Sequence, residues 1–117
     1  MESLKQKLRG FAKARDWEQF HSPKNLVMAM SVEVAELMEH FQWLTQEESR
    51  NLDTETSEKV RQEIGDVMVY LVRLADQLGV YPVAAAEEKM SINEARYPEE
   101  IMRGSSKKYN EYEEWRL

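Results

Sequence analysis

The sequence contains no cysteine, and it has few of the residues that break helices. Its 117 residues include 4 glycines and 3 prolines; without cysteine, neither a disulfide nor a thiolate zinc site can form. Basic residues are the minority, at 16 against 22 acidic ones, which argues against nucleic acid as a partner. No apolar run approaches the roughly 20 residues that span a bilayer, and the N-terminal residues lack a signal-peptide pattern. We therefore expect a cytoplasmic all-α protein that binds no membrane.

Helix-forming residues fill the rest of the chain, which we interpret as a single domain over residues 1–117. Serine caps a helix and proline suits its first turn, so Ser22-Pro23 predicts a helix start. Gly79 and Pro98 predict helix ends. The four predicted helices run roughly over residues 3–14, 23–44, 57–78 and 82–95. A polar connection over 45–56 has room for a short helical turn. The apolar stripe predicted for the third helix comprises Val60, Ile64, Val67, Leu71, Leu74 and Leu78.

Two pairs of carboxylates border the faces on which the second and third helices should pack. Glu33 and Glu36 form one pair, and Glu63 and Asp66 form the other; a spacing of three residues makes each pair neighbours on its helix. Burying one unpaired carboxylate costs several kcal/mol. Two like charges ~4 Å apart repel by about 4 kcal/mol at an effective dielectric of ~20. Such a cluster requires a counter-charge, which a divalent cation supplies most completely.

The oxygen atoms of these carboxylates indicate which metal would bind. Hard cations such as Mg²⁺, Mn²⁺ and Ca²⁺ prefer oxygen ligands, whereas zinc prefers histidine or cysteine. A di-iron bundle requires Glu-x-x-His motifs, but His40 follows Glu36 by four residues and the third helix has no histidine. Mg²⁺ is the predicted cofactor, with Mn²⁺ as a possible substitute. Gly65, between Glu63 and Asp66, suggests that another backbone or a ligand comes close there.

These residues resemble the MazG-like all-α nucleoside triphosphate pyrophosphohydrolases, and most closely their dCTP pyrophosphatase branch. The family motif is E-x-x-E, a spacer, and E-x-x-D, which matches Glu33 to Asp66. The resemblance extends over about residues 9–109. Further matching segments are Arg15 to His21 with Pro23 and Asn25-Leu26, Phe41-Gln42-Trp43, Asp66-Val67 with Tyr70-Leu71, Lys89-Met90 with Ile92-Asn93, Arg96-Tyr97-Pro98, and Ser105 to Tyr109.

The resemblance implies Mg²⁺-dependent hydrolysis of a nucleoside triphosphate, dCTP or a similar nucleotide, to a monophosphate and pyrophosphate. It implies a house-cleaning role in the nucleotide pool and a four-helix MazG-like bundle that assembles as a homo-oligomer, a dimer or a tetramer. The expected metal ligands are Glu33, Glu36, Glu63 and Asp66. Either Glu33 or Glu36 is expected to activate the attacking water.

The substrate-binding residues are predicted from the same resemblance together with side-chain chemistry. An indole stacks well on a nucleobase, so Trp17 and Trp43 are candidates for base recognition, with ordinary core packing as the alternative. His21 is expected to contact base or phosphate, unless it only makes a hydrogen bond at the helix entry. The remaining candidates are Tyr70 for the sugar, Lys89 and Asn93 for the triphosphate or a metal ligand, and Arg96 and Lys108 for the outer phosphates, with Lys107 as a weaker candidate.

Two other readings of the carboxylate cluster stay open. The chain can be a non-catalytic acidic helical module that binds Ca²⁺ or a basic partner, in which case no triphosphate is turned over. A di-iron oxidase bundle is a remote third reading because the ligand histidines are missing. A P-loop nucleotide hydrolase is excluded, since the chain contains no G-x-x-x-x-G-K-[ST] motif.

Overall fold

The computed structural model describes residues 1–97 together with Glu99, and the regular structure in this part of the chain is helical. This confirms the all-α prediction. These described residues contain one α-helix more than the four expected, because the polar connection has a helix of its own. The helices are α1 (Glu2–Ala14), α2 (Pro23–Glu39), α3 (Gln46–Arg50), α4 (Thr54–Gln77) and α5 (Pro82–Arg96), with a 3-10 turn over Glu18–Phe20.

The chain divides into two compact units, Met1–Val80 and Tyr81–Leu117. The first unit contains α1 to α4, and α5 belongs to the second. The expectation of a single domain over the whole chain stays a prediction. Among the described residues, no single helix combines the length and apolarity that a membrane span needs.

Helix α2 begins where the sequence predicts, but it ends five residues early. The Ser22 side chain accepts a hydrogen bond from the Asn25 backbone N–H, and Pro23 occupies the first turn. At the other end, the His40 and Phe41 N–H groups bond to carbonyls three residues back. This tighter turn interrupts the α-helical pattern. The predicted end at Leu44 is therefore wrong, and the helix ends at Glu39.

The connection after α2 is organised by side-chain caps. Thr45 and Glu48 form a capping box in which each side chain bonds the backbone N–H of the other residue, and this starts α3. Asp53 then accepts a hydrogen bond of 2.7 Å from the Thr56 N–H. Asp53 is thus the N-cap of α4, which begins at Thr54 instead of near Ser57 as predicted.

Two glycines, one within α4 and one just after it, differ in their local structure. Gly79 follows the helix with a positive φ of 67°, a conformation that glycine adopts without steric cost, and this confirms its predicted place at the helix end. At Gly65, a Cβ atom would meet no other group within 4 Å. Within the described part of the chain, no other backbone comes close to Gly65, whereas the close approach of a ligand stays a prediction.

Within the first unit, α4 packs mainly against α2 and also against α1. The buried apolar residues of the described chain are few and mostly small: Ala12, Leu26, Val72 and Ala75. The predicted stripe of α4 is only partly covered, since Ile64 is 54% exposed and Leu71 and Leu78 are also exposed. These three side chains fall outside the small core that α1, α2 and α4 share, so their predicted burial is wrong for this chain alone.

Candidate functional site

The packing of α2 on α4 brings three of the four predicted carboxylates together. Carboxylate oxygens of Glu33, Glu36 and Glu63 lie within 4.8 Å of one another. Glu33 and Glu36 are one helical turn apart on α2, and α4 contributes Glu63. An ion placed among these oxygens can contact all three groups, so the triad can hold a metal ion.

Negative charge is concentrated at this triad, and part of it is buried. Glu33 and Glu63 are partly buried, and one oxygen of each, Oε2, is buried without a hydrogen-bond partner among the described residues. Partial burial, a hydrogen bond with Glu36 and the charges of Glu36, Asp66 and Glu63 raise the pKa of Glu33 to about 7. A cluster with orphaned oxygens and crowded negative charge is suited to binding a cation.

Asp66 and His40 lie at the edge of the triad. Asp66 is exposed and its oxygens are not part of the three-residue cluster, although its charge acts on Glu33. His40 Nε2 lies 3.8 Å from Glu63 Oε1. The spacing of four residues between Glu36 and His40 is the sequence signal that places both side chains on one side of the helix.

The donor set fits a hard divalent cation. Three carboxylates supply only oxygen atoms, which Mg²⁺, Mn²⁺ and Ca²⁺ prefer. The buried oxygens without a partner are the atoms that a bound cation would satisfy. No cysteine is available, and only one histidine is near, so a zinc site of the usual type is not supported.

The predicted base-binding residue Trp17 is placed by a sharp turn after α1. Asp16 has a positive φ of 53°, a conformation that aspartate tolerates better than most residues. The Trp17 N–H then bonds to the Ala12 carbonyl at 2.9 Å. Its indole contacts the Phe11 ring edge-on, with centroids 5.6 Å apart, and the His21 ring at 6.4 Å. Trp17 thus has a fixed position while one part of its ring stays exposed.

Trp17, His21 and Tyr70 meet at one small cavity of about 90 Å³ between α1, the 3-10 turn and α4. Burial and the charge of Arg73 lower the pKa of His21, against the opposing effect of Glu18. His21 is therefore neutral near pH 7. Three of the predicted substrate-binding residues thus lie together. The residues that line the cavity are Leu8, Phe11, Ala12, Trp17, His21, Val69, Tyr70 and Arg73.

The second predicted tryptophan is in a different environment. Trp43 lies in the turn after α2 and is 86% exposed. Trp43 is therefore not part of the core that the described residues form. An indole this exposed is available to stack on a nucleobase or to pack against another subunit.

The remaining predicted substrate-binding residues lie beyond the first unit. Lys89, Asn93 and Arg96 are on α5, at spacings that place them along one side of that helix. Lys89 and Arg96 are exposed, and Asn93 is partly buried. Lys107 and Lys108 lie outside the described residues. Their roles stay predictions.

Sequence reasoning missed Arg73, which is 4% exposed and donates a hydrogen bond to His21. An arginine between Val72 and Leu74 resembles a surface charge on a helix. Arg73 follows Tyr70 by three residues, and residues at that spacing share a face of a helix. This spacing is the sequence signal that could have placed Arg73 near the predicted substrate-binding residues.

Comparisons with known proteins identify the family of this chain. The sequence matches the MazG-like family over residues 28–112, which includes all four predicted metal ligands. The chain belongs to the MazG-like family. Among solved structures, this MazG-like chain resembles a pyrophosphatase from Archaeoglobus fulgidus, with 41% identity and a TM-score of 0.79 over 84% of this chain and 92% of that one.

The MazG-like chain is also similar to curated proteins named dCTP pyrophosphatase 1. The human protein is 46% identical over 103 residues, which is 86% of this chain and 61% of that protein. The rat protein is 43% identical over the same shares. The chain thus spans about three fifths of the length of the curated relatives that it matches. The resemblance to the dCTP pyrophosphatase branch that the sequence motifs predicted is confirmed.

Proposed function

We propose that this protein is a Mg²⁺-dependent nucleoside triphosphate pyrophosphohydrolase that acts on dCTP or a closely related nucleotide. The observation that carries the proposal is the triad of Glu33, Glu36 and Glu63, whose buried oxygens lack partners, in a chain of the MazG-like family. The names of its relatives, dCTP pyrophosphatase 1 and a pyrophosphatase, support the choice of reaction and substrate. We further propose a role in clearing surplus or non-standard nucleotides from the cytoplasmic pool.

In the proposed site, Glu33, Glu36, Glu63 and Asp66 hold the metal, with Asp66 completing the set from the exposed edge of α4. These residues would hold Mg²⁺, which would supply positive charge against the phosphate oxygens and make the attacking water more acidic. The orphaned oxygens of Glu33 and Glu63 are available as ligands without breaking any existing hydrogen bond. Mn²⁺ is expected to substitute, because it prefers similar oxygen ligands.

The reaction breaks the bond between the α-phosphorus and the oxygen that bridges to the β-phosphorus. A water oxygen attacks the α-phosphorus, Glu33 or Glu36 accepts its proton, and pyrophosphate leaves with the bridging oxygen. Trp17 and Trp43 offer faces for the base, and His21 and Tyr70 lie where they can contact the nucleotide beside Trp17. Lys89, Asn93, Arg96 and Lys108 are the proposed contacts to the triphosphate.

We also propose that the protein works as a homo-oligomer, either a dimer or a tetramer. Few apolar side chains are buried in the described chain, while many large ones on α2 and α4 are exposed. An apolar groove on these helices is lined by Leu37, Ile64, Val67, Met68 and Leu71. Covering such surface with a second copy would supply the apolar burial that a chain of this size needs.

The test is product analysis with a panel of deoxy- and ribonucleoside triphosphates in water enriched in oxygen-18. We expect metal-dependent formation of monophosphate and pyrophosphate, with dCTP among the best substrates and no reaction in EDTA. Attack at the α-phosphorus places the heavy oxygen in the monophosphate. Label in the pyrophosphate would contradict the proposed site of attack.

Variants connect the reaction to the carboxylates. Glu36→Gln and Asp66→Asn should lower kcat by at least about 100-fold, because each removes a charge from the metal site. Glu39→Gln is the matched control, since Glu39 is an exposed residue at the end of α2. Full activity of the first two variants would refute the assignment, and no turnover by the folded parent would favour a non-catalytic metal-binding module.

A further inference from the structure

Arg73 is a buried charge for which the proposed chemistry has no use. It lies on α4 and is 4% exposed, so it is the one charged residue within the small core of the described chain. Its Nη2 is buried without a hydrogen-bond partner among the described residues. A buried cation with an unsatisfied donor lowers stability. Its contacts therefore indicate a role other than stabilising the fold.

The guanidinium of Arg73 is held from one side by Asp76. Arg73 Nη1 lies 3.5 Å from Asp76 Oδ2. Asp76 in turn accepts two hydrogen bonds from Arg9 of α1, at 2.7 and 2.5 Å. Hydrogen bonding to Arg9, the charge of Arg9 and, to a lesser extent, that of Arg73 lower the pKa of Asp76. Asp76 is therefore an anion at neutral pH that links both arginines and orients Arg73.

On its other side, Arg73 faces the imidazole of His21. Arg73 Nε lies 3.3 Å from His21 Nδ1 and donates a hydrogen bond to it. A guanidinium has only donors, so Nδ1 has to be the acceptor and carry no proton. A neutral imidazole whose Nδ1 accepts carries its proton on Nε2. The contact with Arg73 thus selects one of the two neutral tautomers.

The other groups around His21 do not oppose this selection. Glu18 is the acidic residue whose charge acts on the ring, and the charge of Arg73 acts against it. Trp17 contacts the ring through its indole. Tyr70 lines the same cavity, and its hydroxyl can both donate and accept a hydrogen bond. The remaining lining of that cavity is apolar apart from Arg73 itself.

We propose that Arg73 is a positioning residue that fixes His21 as the neutral tautomer with its proton on Nε2. His21 then meets the nucleotide as a hydrogen-bond donor to an acceptor oxygen. A chain of polar contacts thus runs from Arg9 on α1 to Asp76 and Arg73 on α4, and from Arg73 to His21. The contact between His21 and a nucleotide rests on the proposed function, whereas the tautomer and its dependence on Arg73 do not.

The tautomer is measured by long-range proton–nitrogen correlation NMR on the ¹⁵N-labelled full chain. The chain has two histidines, and His40→Gln assigns the signals of His21. At about pH 7.5 we expect Nδ1 to resonate as an unprotonated nitrogen and Nε2 as a protonated one. A proton on Nδ1 of His21 in the parent would overturn the proposal. This result does not depend on whether any variant of Arg73 folds.

The dependence on Arg73 is tested with three variants. Arg73→Met keeps the apolar stem and removes the donor, so we expect a mixture of tautomers and an upward shift of the His21 titration midpoint. Arg73→Lys, which keeps a charged donor, should restore the Nε2–H form in part. Arg61→Met is the matched control, because Arg61 is an exposed arginine of the same helix. An unchanged His21 spectrum in folded Arg73→Met would refute the positioning role.

The contact with nucleotide is tested separately by adding a non-hydrolysable dCTP analogue with Mg²⁺ to the parent. We expect the Nε2–H proton signal of His21 to shift while Nδ1 stays unprotonated. No shift at saturating analogue would refute the donor role. A failure of the proposed function is seen instead as the absence of triphosphate turnover, so the two results are distinguishable.

Discussion

Replacing Glu33 with glutamine removes one negative charge from the carboxylate triad and keeps the size of the side chain. In the folded protein the pKa of Glu33 is raised from its ordinary 4.5 to about 7. The unfolded chain releases this proton at about pH 4.5, but the folded chain retains it until about pH 7. Folding therefore becomes less favourable as the pH rises through this window, and the full cost is present above pH 7.

The size of the effect follows from the same values. This difference in pKa corresponds to at most about 3.4 kcal/mol at pH 8. Solvent around the partly open cluster reduces the destabilisation to about 1–2 kcal/mol. Without metal, Glu33→Gln should be more stable than the parent by this amount at pH 8. Near pH 5 the variant should gain only a fraction of this stability, since Glu33 of the folded parent is then already protonated.

Urea denaturation followed by circular dichroism, with EDTA and at one protein concentration, measures this difference. Glu39→Gln is the control and should stay within about 0.5 kcal/mol of the parent. Adding Mg²⁺ should reverse the order, because the parent gains binding energy that the variant has largely lost. A Glu33→Gln variant that is less stable than the parent at pH 8 without metal would refute the reasoning.

Two further predictions concern the metal and the core. In the proposed site, Mg²⁺ would bind the ionised carboxylate of Glu33. The apparent affinity for Mg²⁺ should therefore fall below about pH 7, by up to about tenfold per pH unit for one displaced proton. Calorimetric titration at several pH values measures this, and an affinity independent of pH would contradict it. Leu26 is 1% exposed, so Leu26→Ala should lower the free energy of unfolding by about 2–4 kcal/mol. A loss below about 1 kcal/mol in urea denaturation would show that the site collapses around the smaller side chain.

The features that sequence reasoning predicted well are those specified by neighbouring residues. Ser22 and Pro23 placed the start of α2 correctly, because a cap depends on a few adjacent positions. The spacing of three residues predicted that Glu33 and Glu36 share a face, and the apolar stripes predicted that α2 and α4 pack together. Together, these two predictions imply that Glu63 on α4 lies close to Glu33 and Glu36 on α2.

The features that sequence reasoning missed depend on tertiary contacts or on competing local signals. The hydrogen bond from Arg73 to His21 joins residues 52 positions apart. The periodicity of apolar residues along a helix cannot predict a contact over such a separation. The early end of α2 was missed because the capping box of Thr45 and Glu48 competes with continued helix. The exposure of Ile64 was missed because an apolar stripe predicts burial without specifying whether the same chain or another copy provides it.

The capping box at Thr45 and the N-cap at Asp53 have a consequence for how proteins of this fold can diverge. Each starts its helix with hydrogen bonds to residues only three positions away, so neither start depends on the length of chain between them. Residues can be inserted or lost after Arg50 while Asp53 still determines where α4 begins. The rotational phase of Glu63 along α4 is then preserved, and the connection is free to change in evolution without displacing the carboxylates.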